Sequence, residues 1–415
     1  MHRASSIQRI SVGLLGLLLL APLLSLIVPI SPTRLEGIDM QARAPSWSVK
    51  EARTGKYQAR WTSWALKNHP FWSWSVKATN ELVYRLTGEI SLDYGTSIQG
   101  GNNGYLWQPM YLRSFNRALS VDSTEYENAF KNLKNAQQKL AEHGIPLIFV
   151  INPNILMLYP ELLPEKYKAV RAELSGYELA QRYIEQYKPN AVDAFRYLKD
   201  MQPHFPIKFF EPTGSHWNDI GSCLAGRKVG ELLSQAWREE IPDPLCESYK
   251  IEFPPRPHER DLVKIANLLR PEDLFRPAPY VTSTPKAKLK KNRRVLLVGT
   301  SFLFGLEHQL LRRSVASSTT LLFYNRQLRR DGKGAFRTLD RSKITRDTLL
   351  SYDAIIVDAN VSNPIGMGYG FIGAINKLLS PPPVAHSQKN HKRAPQQLQQ
   401  STNSSELPLF SRLDF

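Results

Sequence analysis

Arg293-Arg-Val-Leu-Leu-Val-Gly-Thr-Ser-Phe-Leu-Phe-Gly305 is the stretch that decides the fold. Val295 to Val298 is a short all-apolar run, the pattern of a strand buried on both faces of a parallel sheet. Gly299 breaks the run, and Thr300-Ser301 follow where the next helix starts. In an open α/β sheet, ligands bind at the carboxyl ends of the strands. Ser301 is therefore a candidate nucleophile, with its hydroxyl in the crevice and nearby amides facing a developing oxyanion. A serine there is also an ordinary helix N-cap, so the rest of the chain has to decide.

Outward from this stretch, apolar runs alternate with helical ones. A helix is expected from about Ser123 to His143, closed by Gly144, and Pro146 to Ile151 then reads as a buried strand ending in Asn152-Pro153-Asn154. Residues 155 to 200 read as helical, interrupted by Pro160, Pro164 and Pro189. Lys208-Phe-Phe-Glu-Pro-Thr-Gly-Ser-His-Trp217 precedes a helix over roughly Asp219 to Trp237, and residues 238 to 294 read as a loop-rich insertion. After Ser301 come a helix to about Arg313, a strand at Thr320–Tyr324, a very basic stretch, and a strand at Ala354–Asp358 that leads to Asn360. Nearer the N-terminus, Tyr57 to Leu86 is aromatic-rich and helical in texture, and Ile98 to Trp107 looks like a glycine turn entering a strand. The alternation predicts an α/β protein, a sheet flanked by helices.

The chain has 415 residues, with 54 Lys and Arg against 37 Asp and Glu, a net charge of +17. Polyanions or a membrane surface are plausible partners for such a balance. With 17 Phe, 17 Tyr and 8 Trp it does not have the composition of a disordered protein. Val12 to Ile30 is nearly all apolar and uncharged, behind Arg3 and Arg9. That length spans a bilayer, and the flanking arginines favour a cytoplasmic N-terminus. The segment reads as an uncleaved anchor, with a cleaved signal peptide as the other reading; either puts the remainder outside the cytoplasm. The expected organisation is an N-terminal membrane anchor over 1–30, a tether over 31–56, a globular domain over 57–380 and a Pro/Gln/Ser-rich disordered tail over 381–415. Cys223 and Cys246 are either a disulfide or two buried thiols.

A strand-end serine needs a base to act as a nucleophile, and His216, at a loop-to-helix junction, is the candidate. At this point the chain resembles a known family. Gly101-Asn-Asn-Gly-Tyr-Leu-Trp107, Ile151-Asn-Pro-Asn154 with Tyr159-Pro-Glu-Leu-Leu-Pro164, Gly214-Ser-His-Trp-Asn218, Glu259-Arg-Asp-Leu262 and Gly299-Thr-Ser-Phe302 occur in this order behind an export segment. Together, over about Tyr57 to Gly373, they resemble the alginate O-acetyltransferase family of SGNH-hydrolase-like proteins, in which the histidine motif precedes the serine motif by circular permutation. The resemblance implies an SGNH-hydrolase-like sheet, Ser301 as nucleophile, His216 as base and Asn360 as an oxyanion-hole residue. The chain departs from the family pattern at Gly214, where the motif carries an Asp two residues before the His. The orienting group is then expected among Glu211, Ser215, Asp219 and Asp358, because an acid fixes the imidazole tautomer.

The implied function is a periplasmic O-acetyltransferase acting on a bacterial exopolysaccharide through an acyl-serine. A multi-pass membrane acyltransferase would donate the acetyl group, and no cofactor, metal or nucleic acid is expected. An esterase using the same serine, or a non-catalytic polysaccharide-binding scaffold, are the alternatives. From Arg312 to Arg346, ten basic residues face two acids, Asp331 and Asp340. This run marks Arg326 and Arg329 as candidate binders of an acidic sugar chain or of anionic headgroups.

Overall fold

The apolar runs of the sequence form the middle of a seven-stranded sheet. The computed structural model describes residues 44–68, 70–91, 97–116, 121–168 and 175–380, with isolated positions before residue 44. Twelve strands are present among them: β1 (Glu89–Ser91), β2 (Ser97–Gly100), β3 (Leu106–Trp107), β4 (Leu147–Asn152), β5 (Ala191–Asp193), β6 (Tyr249–Glu252), β7 (Ala278–Val281), β8 (Arg294–Gly299), β9 (Ser318–Phe323), β10 (Gln327–Arg330), β11 (Lys333–Thr338) and β12 (Ala354–Asn360). The large sheet has the order β11-β10-β9-β8-β12-β4-β5. Strands β9, β8, β12, β4 and β5 run parallel, whereas β10 and β11 close one edge antiparallel. Two smaller sheets, β1-β2-β3 and β6-β7, stand apart from it.

The helices that matter here are α1 (Ser123–Ala141), α2 (Gly176–Tyr187), α3 (Ala194–Met201), α4 (Asp219–Trp237), α5 (Asp261–Ile265), α6 (Leu303–Arg312), α7 (Arg346–Leu350) and α8 (Phe371–Leu378). Helix α1 packs on α2 and α8, and α4 packs on α3 and α6. With these two groups in place, β4 is buried along its whole length, and β8 and β12 are buried except at one terminal residue each. Both faces of the central strands are therefore covered, as their unbroken apolar runs require. Each helix start has a local reason. Asp122 caps α1, Ser175 and Glu178 form a capping box on α2, and Asn218 caps α4 through Gly221 N.

Several expectations need correction. Residues 155–200 hold not one interrupted helix but α2, α3 and the strand β5 between them, because Pro189-Asn190 ends the helical run before Ala191-Val192-Asp193. The insertion at 238–294 contains the β6–β7 ribbon and α5. The basic stretch after β9 is a hairpin, β10–β11, added to the sheet. Its turns use Tyr324-Asn325 and Asp331-Gly332, all four at positive φ, the backbone that suits the twist of a tight hairpin. The tether expected over 31–56 contains the helix Val49–Arg53, and the aromatic segment forms helices Lys56–Asn68 and Pro70–Thr87. The expected anchor, apart from isolated positions, and the expected disordered tail lie outside the described residues; among those described, no helix is long and apolar enough to cross a membrane. Residues Lys77–Leu379 form one compact unit, and everything below lies inside it. Cys223, in α4, is disulfide-bonded to Cys246, 23 residues on. A loop of that size gains about 3 kcal/mol on the chain-entropy account.

One buried carboxylate ties the sheet together at its carboxyl end. Asp358, near the end of β12, accepts from Thr300 N at 2.7 Å, from Thr300 Oγ1 at 2.6 Å, and from the side-chain amide of Asn152 at the end of β4. Gly299 is required for this approach, since a Cβ there would overlap the Asp358 carboxylate. Complete burial pushes the Asp358 carboxyl up to about 7, against the opposing pull of its hydrogen bonds. Between pH about 4 and about 7 the unfolded chain thus gives up this proton while the folded one keeps it, so stability falls as pH rises through that window. Asp358→Asn keeps the shape and removes the proton; the decline of Tm from pH 4 to pH 7 is expected to be shallower than in the wild type. An unchanged slope would mean that Asp358 is already ionised in the fold.

Candidate active site

The turn after β8 is short: Gly299, Thr300, Ser301 and Phe302 lead directly into α6, with Leu303 N bonded to Thr300 O and Phe304 N to Ser301 O. Asp358 fixes the Thr300 amide, and this places Ser301 at the carboxyl end of the central strands. The Ser301 hydroxyl lies 2.5 Å from His216 Nε2. Ser301 is 9% exposed and the His216 side chain 14%, so the pair is largely buried yet still reaches solvent.

His216 stands just before Asn218, the cap of α4, and is walled by aromatic rings. The Phe302 ring lies 5.0 Å from the imidazole and 5.2 Å from Trp217. The other ring nitrogen, Nδ1, is 3.2 Å from Asp261 Oδ2 and 3.2 Å from Ser215 Oγ. Asp261 is itself held by the same loop: Ser215 N donates to its Oδ1 at 2.8 Å, and the Ser215 hydroxyl donates to its Oδ2 at 2.5 Å. Burial alone would raise the Asp261 carboxyl, but His216 and the Ser215 donors outweigh it and hold the group below the ordinary carboxylate range. An ionised Asp261 at Nδ1 fixes the tautomer that leaves Nε2 free to accept from Ser301. Ser301, His216 and Asp261 are therefore linked in one chain of contacts, the order a nucleophile, a base and an orienting acid would need.

The expected acids are elsewhere. Of Glu211, Ser215, Asp219 and Asp358, Ser215 touches the ring, but the three carboxylates have other partners. Glu211 accepts from Asn218 Nδ2 at 2.9 Å, and burial pushes it up to about 7. Asp219 accepts from Val281 N at 2.8 Å and Gln309 Nε2 at 2.9 Å, joining α4 to β7 and α6. Asp358 lies under the Ser301 turn. The reason is visible at Gly214. A Cβ there would meet Glu259 O at 2.7 Å and Glu259 C at 2.9 Å. The Glu259–Asp261 backbone occupies the space that a side chain at 214 would need, and it delivers Asp261 from the start of α5. Thr213 holds that segment, its hydroxyl donating to Glu259 O at 3.0 Å and its carbonyl accepting from Leu262 N at 3.1 Å.

Asn360 ends β12. It stands three residues beyond the last pair of β12 with β8, Val357↔Val298, at the same end of the sheet as the Ser301 turn. One of its amide hydrogens goes to Pro153 O at 2.9 Å, and its Oδ1 accepts from Ser362 N at 3.0 Å. Of the two arginines, Arg326 is exposed at the β9–β10 turn. Arg329 is not available as a surface binder. It is paired with buried Glu307 at 2.6 Å and lies over the Phe304 and Phe336 rings. Asp261 was missed as a site residue, although it stands within the Glu259–Leu262 motif; the glycine at 214 was the signal that an acid had to come from elsewhere. Among the described residues no cluster suited to a metal ion is present.

The chain matches the model of the family described as "SGNH hydrolase-like domain, acetyltransferase AlgX" over residues 102–313. No curated protein sequence matches it. Among solved structures, the O-acetyltransferase domain of Pseudomonas putida AlgJ is 16% identical, covering 68% of this chain and 99% of that one with a TM-score of 0.41. A DHHW family protein from Eubacterium siraeum is 11% identical, covering 69% and 97%, with a TM-score of 0.44. Bacillus cereus PatB1 is 12% identical, covering 65% and 97%, with a TM-score of 0.39.

Asp261→Asn keeps the contacts to Ser215 but removes the charge that selects the tautomer. Labelling of Ser301 by a serine-directed sulfonyl fluoride is expected to slow by about 100-fold or more. Glu211→Gln is expected to leave it within about threefold. Equal effects of the two would remove Asp261 from the site.

Proposed function

Since this chain belongs to the family of SGNH hydrolase-like acetyltransferase domains typified by AlgX, we propose that it is an O-acetyltransferase of a bacterial exopolysaccharide, working by an acyl-serine. The observation that carries the reading is the Ser301–His216–Asp261 chain at the carboxyl end of the sheet. In the first step Ser301 Oγ attacks the carbonyl carbon of an acetyl ester and its proton passes to His216 Nε2. The leaving alcohol departs with that proton, and acetyl-Ser301 remains. In the second step a sugar hydroxyl attacks the ester carbonyl and gives its proton to His216, which returns it to Ser301 Oγ. The Ser301 and Phe302 amides and the remaining N–H of Asn360 are the proposed oxyanion donors, each worth roughly 3 kcal/mol where the geometry is met.

A periplasmic site of action follows from the apolar run at Val12–Ile30 and is supported by the Cys223–Cys246 disulfide, which suits an oxidising compartment. Acetyl-CoA is cytosolic, so the acetyl group would come from a membrane-bound acyltransferase, and the anchor would hold the chain beside it. Transfer to water instead of sugar, an esterase activity, uses the same steps. The acceptor hydroxyl decides between them.

With an acetyl-ester donor, the purified protein is expected to acetylate an acidic oligosaccharide faster than it hydrolyses the donor. Ser301→Ala and His216→Ala are each expected to lower transfer by about 10³-fold or more. Hydrolysis unaffected by the acceptor would make it an esterase. A Ser301→Ala variant as active as the wild type would end the acyl-serine reading.

Arg326 is an exposed cation three residues beyond the end of β9. Binding of an anionic oligosaccharide is expected to weaken severalfold on Arg326→Ala and to fall steeply between low and moderate salt, by screening. Salt-insensitive binding of a neutral oligosaccharide of equal strength would leave the basic hairpin without a role in acceptor binding.

A further inference from the structure

The outer strands of the large sheet are packed differently on their two faces, because side chains alternate along a strand. On one face Phe323 and Phe336 pack on Phe304 of α6, and Arg329 lies over those rings on Glu307. On the other face the ladder brings six side chains into line: Leu296 opposite Thr320, Thr320 opposite Arg330, Leu322 opposite Leu328, and Leu328 opposite Arg337. Helix α7 lies on that side and has only five residues. At 1.5 Å per residue it is about 8 Å long, whereas the four strands β8 to β11 spread over about 14 Å. The face is left incompletely covered, and a cavity of about 270 Å³ remains between these strands, Leu349 of α7, Tyr352 and Phe371 of α8. Protein interiors hold few voids larger than a water molecule, and an apolar void of about 150 Å³ already admits benzene.

The lining divides by chemistry. Leu296, Leu322, Leu349 and Phe371 are buried and Leu328 and Ile344 half-buried, so the interior is apolar. Arg330, Arg337 and Lys343 belong to the same lining but are exposed, with a single acid, Asp340, among them. Lys343 reaches Asp340 only at 3.8 Å. Among the described residues neither arginine has an ion pair, in contrast to Arg329, which is paired on the opposite face. Two guanidinium groups at one mouth repel each other, and a carboxylate that accepts from both forks removes that cost.

We propose that this cavity binds a medium-chain fatty carboxylate, with its alkyl tail against the leucines and its head group between Arg330 and Arg337. A methylene fills about the volume of a liquid water, roughly 30 Å³, so the cavity takes one tail of about nine carbons and not the two tails of a membrane lipid. A sugar acid suits the interior poorly, since its hydroxyls would lose water against leucine side chains without gaining partners. None of Ser301, His216 and Asp261 lines the cavity, so the inference stands apart from the acyl-serine reading.

The test uses the full-length protein in phosphatidylcholine nanodiscs, with empty nanodiscs subtracted, and a decanoate carrying a diazirine at its far end. Photolabelling is expected to saturate and to map to the cavity wall, on β9, Leu328, Leu349 or Phe371. Decanoate is expected to compete; decyltrimethylammonium, the same tail with a cationic head, and acetate, the head without the tail, are each expected to compete at least about tenfold less well. Arg330→Ala with Arg337→Ala is expected to weaken decanoate by about tenfold or more, with Tm and the labelling of Ser301 by a sulfonyl fluoride unchanged, since both side chains are exposed. Leu328→Phe, which fills the cavity, is expected to weaken it as well; if that variant fails to fold, the arginine variant and the position of the label still decide. Labelling that does not saturate, or that maps outside the cavity wall, would overturn the proposal. So would equal competition by decanoate and decyltrimethylammonium, or decanoate affinity within about twofold of wild type in the arginine variant.

Discussion

The carboxylate of Asp358 is the constraint on which the site depends. It is fully buried and takes hydrogen bonds from the Thr300 amide and hydroxyl and from Asn152, so the ends of β8, β12 and β4 meet at one group. A parallel sheet leaves its carboxyl-end backbone groups without partners where the strands splay, and a buried amide without a partner costs about 1–3 kcal/mol. Asp358 satisfies the amide at the tightest point of the turn. It also sets where Thr300 stands, and through it the aim of Ser301. Gly299 is the complementary concession, the one residue small enough to let the carboxylate approach. The placement of Ser301 is thus a by-product of finishing the sheet.

The placement of His216 follows a different rule. His216 is held by ring packing against Phe302, a neighbour of Ser301, so the loop before α4 and the turn before α6 are set relative to each other by apolar contact. What lies behind the imidazole is a matter of charge and position in space. Any carboxylate at Nδ1 stabilises the imidazolium and selects the tautomer. In this chain the group comes from Asp261, on a segment 45 residues beyond His216 (261 − 216), and Ser215 binds both partners. The exchange is steric: a side chain at position 214 and the Glu259 carbonyl cannot share the same volume.

This division explains what was legible. The central strands β4, β8, β9 and β12 and the helices α1, α4 and α6 were readable from local periodicity, and so was the place of Ser301 at a strand end. Asp261 was not, because its position is fixed by tertiary contact between two loops, although the missing acid at Gly214 was visible. The β10–β11 hairpin was hidden by its arginines, which masked the alternation of a strand. Yet Asp331-Gly332, flanked by Arg330 and Lys333, is a two-residue hairpin signal. The positive φ of Tyr324 gave no local signal at all, since nothing in the sequence marks a tyrosine for the left-handed backbone. Arg329 misled because a basic run reads as solvated, whereas burial of Glu307 required an internal cation.

The same reasoning bears on the +17 charge. Arg293 is paired with Glu239 and Asp353 and is 7% exposed, and Arg313, 1% exposed, donates to the carbonyls of Gly226 and Pro242. With Arg329 on Glu307, these three cations belong to the interior and contribute little to any outward field. The outward part of the run lies on β11, whose exposed residues include Lys333 and Arg337, and on the adjoining turns. β11 is an edge of the large sheet, with one side of its backbone unpaired within it. Charged side chains on an edge strand oppose pairing with a second copy, since like charges would face each other across the new ladder. Edge protection thus accounts for Lys333 without any ligand. It does not reach Arg326, which stands exposed at the β9–β10 turn, just beyond the carboxyl end of β9. Charge that serves an acceptor is therefore to be sought at the carboxyl end of the sheet and not along its edge.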